Sequence, residues 1–127
     1  MLVIDASVLV DALLVAGPSR ARLASENLQA PELIDAELLS VLRRLVHADK
    51  LQNGDALQAL ATANHLGLRR HASRSLWPRA WELRTNLSAY DALYVALAEQ
   101  LDIPLFTADA RLARAPGLRC VVELAET

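Results

Sequence analysis

Cysteine, glycine, aromatic residues and long apolar runs are all scarce in this chain of 127 residues. A lone cysteine, Cys120, excludes an intrachain disulfide and fits a reducing compartment. Only four glycines and five prolines favour a compact, mostly helical chain over a disordered one, and aromatics at 4% leave a core of Leu, Ala and Val. No basic leader opens the chain, and no uncharged apolar run reaches the ~18 residues of a membrane span. These absences predict one soluble, cytoplasmic domain over residues 1–127, away from membranes.

Positive charge is also limited. The net charge is −2, which is not the basic footprint of a DNA-binding module. Of the 13 basic residues only Lys50 is a lysine; arginine suits phosphate, but a GC-rich genome gives the same bias. Setting aside four acids discussed below leaves a small positive excess, so nucleic acid is not excluded as a partner.

Short apolar strands alternate with helices along the chain, which predicts an α/β domain. The expected architecture is a central parallel sheet of four to five short strands flanked by helices. The predicted strands are 2–4, 68–72, 103–106 and 119–123. The predicted helices are 7–16, 19–27, 31–49, 53–67, 76–84 and 88–101, with a short one from 109 or 110.

Two acids follow predicted strands. Asp5 ends the apolar run Leu2-Val3-Ile4, and Asp109 follows Leu105-Phe106-Thr107-Ala108. In open parallel sheets ligands bind beyond the carboxyl ends of the strands. Each acid also suits a helix N-cap, a role that needs no further function.

Two more acids lie in apolar helices. Asp91 stands three residues after Ser88, which is typical of a capping box, yet the helix that follows is apolar around nearly its whole circumference. Glu37 falls inside an apolar helical stripe formed by Leu33, Ile34, Leu38, Val41 and Leu45. A salt bridge between Glu37 and Arg44 is the structural alternative.

A buried carboxylate persists when it is paired or when it coordinates a metal. Asp5, Glu37, Asp91 and Asp109 together would suit a hard cation, Mg²⁺ or Mn²⁺, with water or phosphate completing the shell. Such ions activate a water for attack on a phosphodiester. Ser7 and Thr107, each two residues from an acid, are candidates for orienting these carboxylates.

The chain resembles the PIN domain family, and within it the VapC-type toxins of bacterial toxin–antitoxin pairs. The resemblance rests on Val3-Ile4-Asp5-Ala-Ser7, on Ala30-Pro31-Glu32-Leu33 leading to Glu37, and on the segments 87–99 and 104–109. It implies a Mg²⁺-dependent endoribonuclease that leaves a 5′-phosphate and a 3′-hydroxyl. Asp5, Glu37, Asp91 and Asp109 match the family's acidic quartet, and Thr107 its usual hydroxyl residue.

The resemblance also implies a homodimer that a VapB-type antitoxin holds inactive. A catalytically inert module that only binds RNA or protein is the main alternative, and a complete acidic quartet argues against it. Arg43, Arg44 and Arg70 are candidate RNA contacts, and a solvated surface is an equal explanation for the cluster around Arg70. Trp77 and Trp81 form one helical stripe, which predicts core or dimer packing.

Overall fold

A computed structural model describes residues 1–126 of the chain. Five parallel strands form its sheet, in the order β3-β2-β1-β4-β5. The strands are β1 (Leu2–Ile4), β2 (Leu28–Pro31), β3 (Leu68–His71), β4 (Leu105–Thr107) and β5 (Val122–Leu124). The strand order reverses direction at β1, the point where doubly wound sheets form a crevice. The predicted α/β fold with a short-stranded parallel sheet is confirmed.

Helices connect the strands. They are α1 (Ala6–Leu14), α2 (Pro18–Ala24), α3 (Ile34–His47), α4 (Asn53–Asn64), α5 (Trp77–Glu82), α6 (Ala89–Leu101) and α7 (Ala110–Ala113), with a 3₁₀ turn at Arg74–Leu76. None of the helices within residues 1–126 combines the length and hydropathy that crossing a membrane requires.

Much of the core lies where α6 packs on the sheet, and buried residues of α1, α3 and α4 complete it. Every residue of β1 is buried, which is why that strand is wholly apolar. Helix α6 packs on β1, β2 and β4, and six of its residues are buried: Ala92, Tyr94, Val95, Ala96, Leu97 and Ala98. The helix that sequence predicted to be buried therefore does occupy the centre of the fold.

Strand β2 was missed. The sequence predicted a helix from residue 31, but Leu28–Pro31 is a buried strand and α3 begins only at Ile34. The polar Gln29 obscured the strand, and its side chain is bonded to the His71 ring on β3, with 2.7 Å between Oε1 and Nε2. A polar residue is tolerated here because its partner lies on the neighbouring strand.

Core packing of the two tryptophans was also a wrong prediction. Trp77 and Trp81 are 61% and 68% exposed, on the solvent side of the short helix α5. Dimer packing of this pair stays a prediction. Cys120 is only partly buried, since the loop before β5 runs near the surface.

Candidate active site

The carboxyl ends of β1 and β4 are neighbours, and each is followed by an acid that caps a helix. Asp5 Oδ1 accepts a hydrogen bond from the Val8 N–H at 3.2 Å, and Asp109 Oδ1 accepts one from the Arg111 N–H at 2.9 Å. The capping roles are therefore real. They do not exclude a second role, because capping uses only one of the two oxygens of each carboxylate.

Asp5 is held by hydroxyl groups. Ser7 Oγ donates to its Oδ1 at 2.5 Å, and Thr107 Oγ1 donates to its Oδ2. The two hydroxyls are themselves fixed by backbone N–H groups, from Ala108 to Ser7 at 2.9 Å and from Asp109 to Thr107 at 3.0 Å. With only 7% of Asp5 exposed, this network immobilises its carboxylate without a cation.

The other two acids are carried by two helices, Asp91 by α6 and Glu37 by α3. Asp91 lies in the first turn of α6, and the Asp91 N–H donates to Ser88 Oγ at 3.1 Å, as the capping pattern predicts. Tyr94, three residues on, donates its hydroxyl to Glu37 Oε1 at 2.6 Å across to α3. The alternative of a Glu37 salt bridge to Arg44 is wrong, since the carboxylate is bonded to this phenol.

The pKa values of Asp5 and Glu37 are raised by burial and by the charges of neighbouring acids. Burial raises the pKa of Asp5, and the charge of Asp91 adds to it, while the bonds from Ser7 and Thr107 act in the opposite direction. Burial also raises the pKa of Glu37, as do the charges of Asp91 and Asp5. Asp91 therefore lies close enough to Asp5 and Glu37 for its charge to act on both carboxylates.

Asp109 lies beside this group but has a guanidinium partner. Burial and then the charge of Asp109 raise the pKa of Asp91, so these two acids are also close. The pKa of Asp109 itself is lowered: burial raises it, but the contacts with Arg111 outweigh burial. Arg111 Nη2 lies 3.3 Å from Asp109 Oδ2, and its side chain is 86% exposed.

With this geometry described, similarity to known proteins decides the family. The model of the PIN domain matches residues 2–118. The chain is a PIN domain. Ribonuclease VapC9 of Mycobacterium tuberculosis is 46% identical over 122 residues, which are 96% of each chain. Ribonuclease VapC1 of the same organism is 45% identical over 127 residues, again 96% of each.

Solved structures agree on the fold. VapBC2 from Rickettsia felis, solved bound to a promoter DNA fragment, has a TM-score of 0.72 at 15% identity, covering 98% of both chains. Mycobacterium tuberculosis VapC20, a sarcin-ricin loop cleaving toxin, has a TM-score of 0.66 at 20% identity. It covers 89% of this chain and 93% of its own. The PIN resemblance carried by the sequence is therefore confirmed.

The carboxylates of this PIN domain supply the oxygen ligands that a hard cation prefers, but they do not surround a single position. Only oxygen ligands are offered, and within residues 1–126 no basic side chain forms an ion pair with Asp5, Glu37 or Asp91. In the same described range, no three His, Cys, Asp or Glu side chains are grouped tightly enough to hold one ion.

The three arginines predicted to contact RNA lie in different settings. Arg43 and Arg44 are exposed on α3, and Arg44 lines a cavity beside Glu37. Arg70 is bound to Asp35, with 2.8 Å between Nε and Oδ2. An arginine already paired is a weaker candidate for phosphate than a free one.

Two residues near the acids were not recognised from sequence. Tyr94 read as one more apolar residue of α6, although its spacing of three from Asp91 places both on one helix face. Arg111, two residues after Asp109, gave only the signal of an arginine close to a strand-end acid.

Proposed function

We propose that this PIN domain is a metal-dependent endoribonuclease and the toxin of a type II toxin–antitoxin pair. Similarity to named VapC ribonucleases over nearly the whole chain supports the activity. The observation that carries the proposal is electrostatic: burial raises the pKa of Asp5, Glu37 and Asp91, the charge of another acid of the quartet raises each of them further, and no described basic side chain pairs with them. Such an arrangement costs stability unless a cation completes it.

We assign the cation to Mg²⁺, with Mn²⁺ as a substitute, held by Asp5, Glu37, Asp91 and Asp109. Mg²⁺ keeps several of its waters and needs only one or two direct carboxylates, so a loosely spaced quartet is compatible with it. When bound, the ion activates a water and stabilises the leaving oxygen of a phosphodiester.

Hydrogen bonds from neighbouring side chains hold the proposed metal ligands in position. Ser7 and Thr107 fix both oxygens of Asp5, so that this carboxylate cannot rotate away from its neighbours. Tyr94 holds one oxygen of Glu37 and leaves the other free. Partners of this kind typically change metal affinity or activity by about 10- to 100-fold when they are removed.

Replacing the ligands one at a time tests the proposal. Asp5→Asn and Asp91→Asn should each lower RNA cleavage in Mg²⁺ by at least about 100-fold, which is more than the loss of an outer partner costs. Calorimetric titration should show Mn²⁺ binding to the wild type and not to either variant. Circular dichroism should show both variants folded.

The matched control is Asp102→Asn. Asp102 caps α6 at the opposite end, in the left-handed conformation (φ 54°) that asparagine also tolerates. Cleavage by this variant at the wild-type rate is expected. Wild-type cleavage by both Asp5→Asn and Asp91→Asn would refute the site, and RNA binding without Mn²⁺ binding or cleavage would favour the inert module.

We further propose a cytoplasmic homodimer that a VapB-type antitoxin inhibits. Exposed apolar side chains, among them Trp77 and Trp81, are candidates for the dimer surface. Light scattering of the purified protein alone should give twice the chain mass of 13.8 kDa. A species of 13.8 kDa at all concentrations would contradict the dimer.

A further inference from the structure

Two cavities flank the carboxylates. The larger, of about 640 Å³, is lined by Asp91 and Asp109 together with Arg111 and Arg114. The smaller, of about 400 Å³, contains Glu37 and Arg44. Each cavity therefore combines an acid of the quartet with arginine, and the larger one has two arginines.

An RNA strand approaching this edge meets negative charge from four carboxylates. Cations close to the acids are needed so that the phosphates are attracted rather than repelled. Arginine suits this task, because its planar guanidinium pairs with phosphate oxygens through two parallel hydrogen bonds. The question is which arginines of this chain are placed to do so.

Arg111 and Arg114 meet the requirement best. They are three residues apart around the short helix α7, so both reach the same cavity. The Arg111 guanidinium is exposed and spans Asp109 through two long contacts, Nε to Oδ1 at 3.4 Å and Nη2 to Oδ2 at 3.3 Å. Arg114 is exposed, and no acid within residues 1–126 pairs with it.

We infer that Arg111 and Arg114 form a subsite for backbone phosphates of the RNA strand, directly beside the bond that is cut. The inference rests on the proposed ribonuclease function. In it, Arg114 binds a phosphate outright, and Arg111 exchanges one of its long contacts with Asp109 for a phosphate oxygen. Arg70, which the sequence nominated, is not part of this subsite, because its bonds to Asp35 are short, at 2.8 and 2.9 Å, and it lines neither cavity.

The experiment measures binding of a fluorescent single-stranded RNA by anisotropy over a series of salt concentrations. Asp5→Asn serves as the background, so that the RNA is not cut. Adding Arg114→Gln should weaken binding severalfold and reduce the slope of log affinity against log salt by about 0.7, the share of one phosphate contact. Arg114→Lys keeps the charge and should restore the slope.

Arg119→Gln is the matched control. Arg119 is also exposed but lies by the carboxyl end of α6, where it lines a different cavity with Glu99. It should leave both the affinity and the slope unchanged. In the cleaving enzyme, Arg114→Gln should raise KM with little change in kcat, whereas Arg111→Gln should alter both because Asp109 loses its partner.

The possible failures are separable. If the wild type cleaves RNA while Arg114→Gln and Arg111→Gln both keep the wild-type salt slope, the subsite is wrong and the ribonuclease proposal stands. If the slope falls as expected but the wild type cuts no RNA, the subsite stands and the ribonuclease proposal is wrong. Absence of any RNA binding overturns both.

Discussion

The acids at the two ends of helix α6 have pKa values shifted in opposite directions. At the carboxyl end Glu99 is bound by Arg79, with 2.6 Å between Oε1 and Nε, and by the Arg119 N–H at 2.8 Å. Burial raises the pKa of Glu99, but these bonds outweigh burial and lower it. At the amino end Asp91 makes no ion pair with any described residue, and burial and the charge of Asp109 raise its pKa.

The helix dipole makes this contrast sharper. It favours negative charge at the amino end and disfavours it at the carboxyl end, so Asp91 should be the easier acid to keep charged. The pKa shifts run the other way, raised at Asp91 by burial and Asp109 and lowered at Glu99 by its hydrogen bonds and by the charge of Arg79. Glu99, which stabilises the fold, has a guanidinium beside it, whereas Asp5, Glu37 and Asp91 form no ion pair with any described residue and, of the four acids we assign to metal, Asp109 alone has one, with Arg111.

The largest expected effect concerns the paired end. Arg79→Met leaves Glu99 without its partner at a site where the two side chains are 18% and 10% exposed. Chemical denaturation should show a loss of about 2 kcal/mol in the free energy of unfolding, as for a hydrogen bond to a charged group that is only partly exposed.

The control is Arg69→Met, at an exposed arginine of β3, which should stay within about 0.5 kcal/mol of the wild type. Equal stability of the two variants would mean that the Glu99 pair contributes no more than a surface charge does, and the contrast between the ends would lose its energetic basis.

An intermediate effect is expected at Tyr94. Tyr94→Phe removes the hydrogen bond to Glu37 but keeps the ring, so unfolding should become easier by about 1 kcal/mol. The pKa of Glu37 should rise further, because the lost bond is one that lowers it. NMR titration of the metal-free protein measures that pKa, and a fall or no change would contradict the assigned role.

The smallest effect, of opposite sign, belongs to Asp91. Its pKa is raised in the folded protein, so its charge costs stability above that pKa, and the cost disappears as pH falls below the unfolded value of 3.8. Metal-free Asp91→Asn should therefore be more stable than the wild type by about 0.5 kcal/mol at neutral pH.

Glu99 has the reverse dependence. Its lowered pKa contributes stability that is present above the unfolded value of 4.5 and is lost as pH falls through the folded pKa. For Asp91 the dependence runs the other way. Unfolding curves between pH 7 and pH 3 should show that the stability gained by Asp91→Asn shrinks as the pH falls. A gain that grows would mean that the sign for Asp91 is wrong.

Sequence patterns were sufficient where local rules coincide with the fold. The segment 88–109 combines a capping Ser88, a helix whose middle is apolar and a strand-end acid, and each of these features is where it was expected. At Leu28–Pro31 the local rules mislead, because Gln29 is satisfied only by His71 on another strand. At α5 the tryptophan stripe gave no indication of which side faces solvent.

Periodicity and strand ends alone therefore establish that Asp5 and Asp109 follow strands and that Asp91 opens a buried helix. They do so because hydrogen bonding and burial of short segments obey rules readable over a few residues. Which acid receives a partner is decided by the assembled fold. The bonds of Tyr94 to Glu37 and of Thr107 to Asp5 join residues 57 and 102 positions apart, and only packing of the helices on the sheet brings those atoms together.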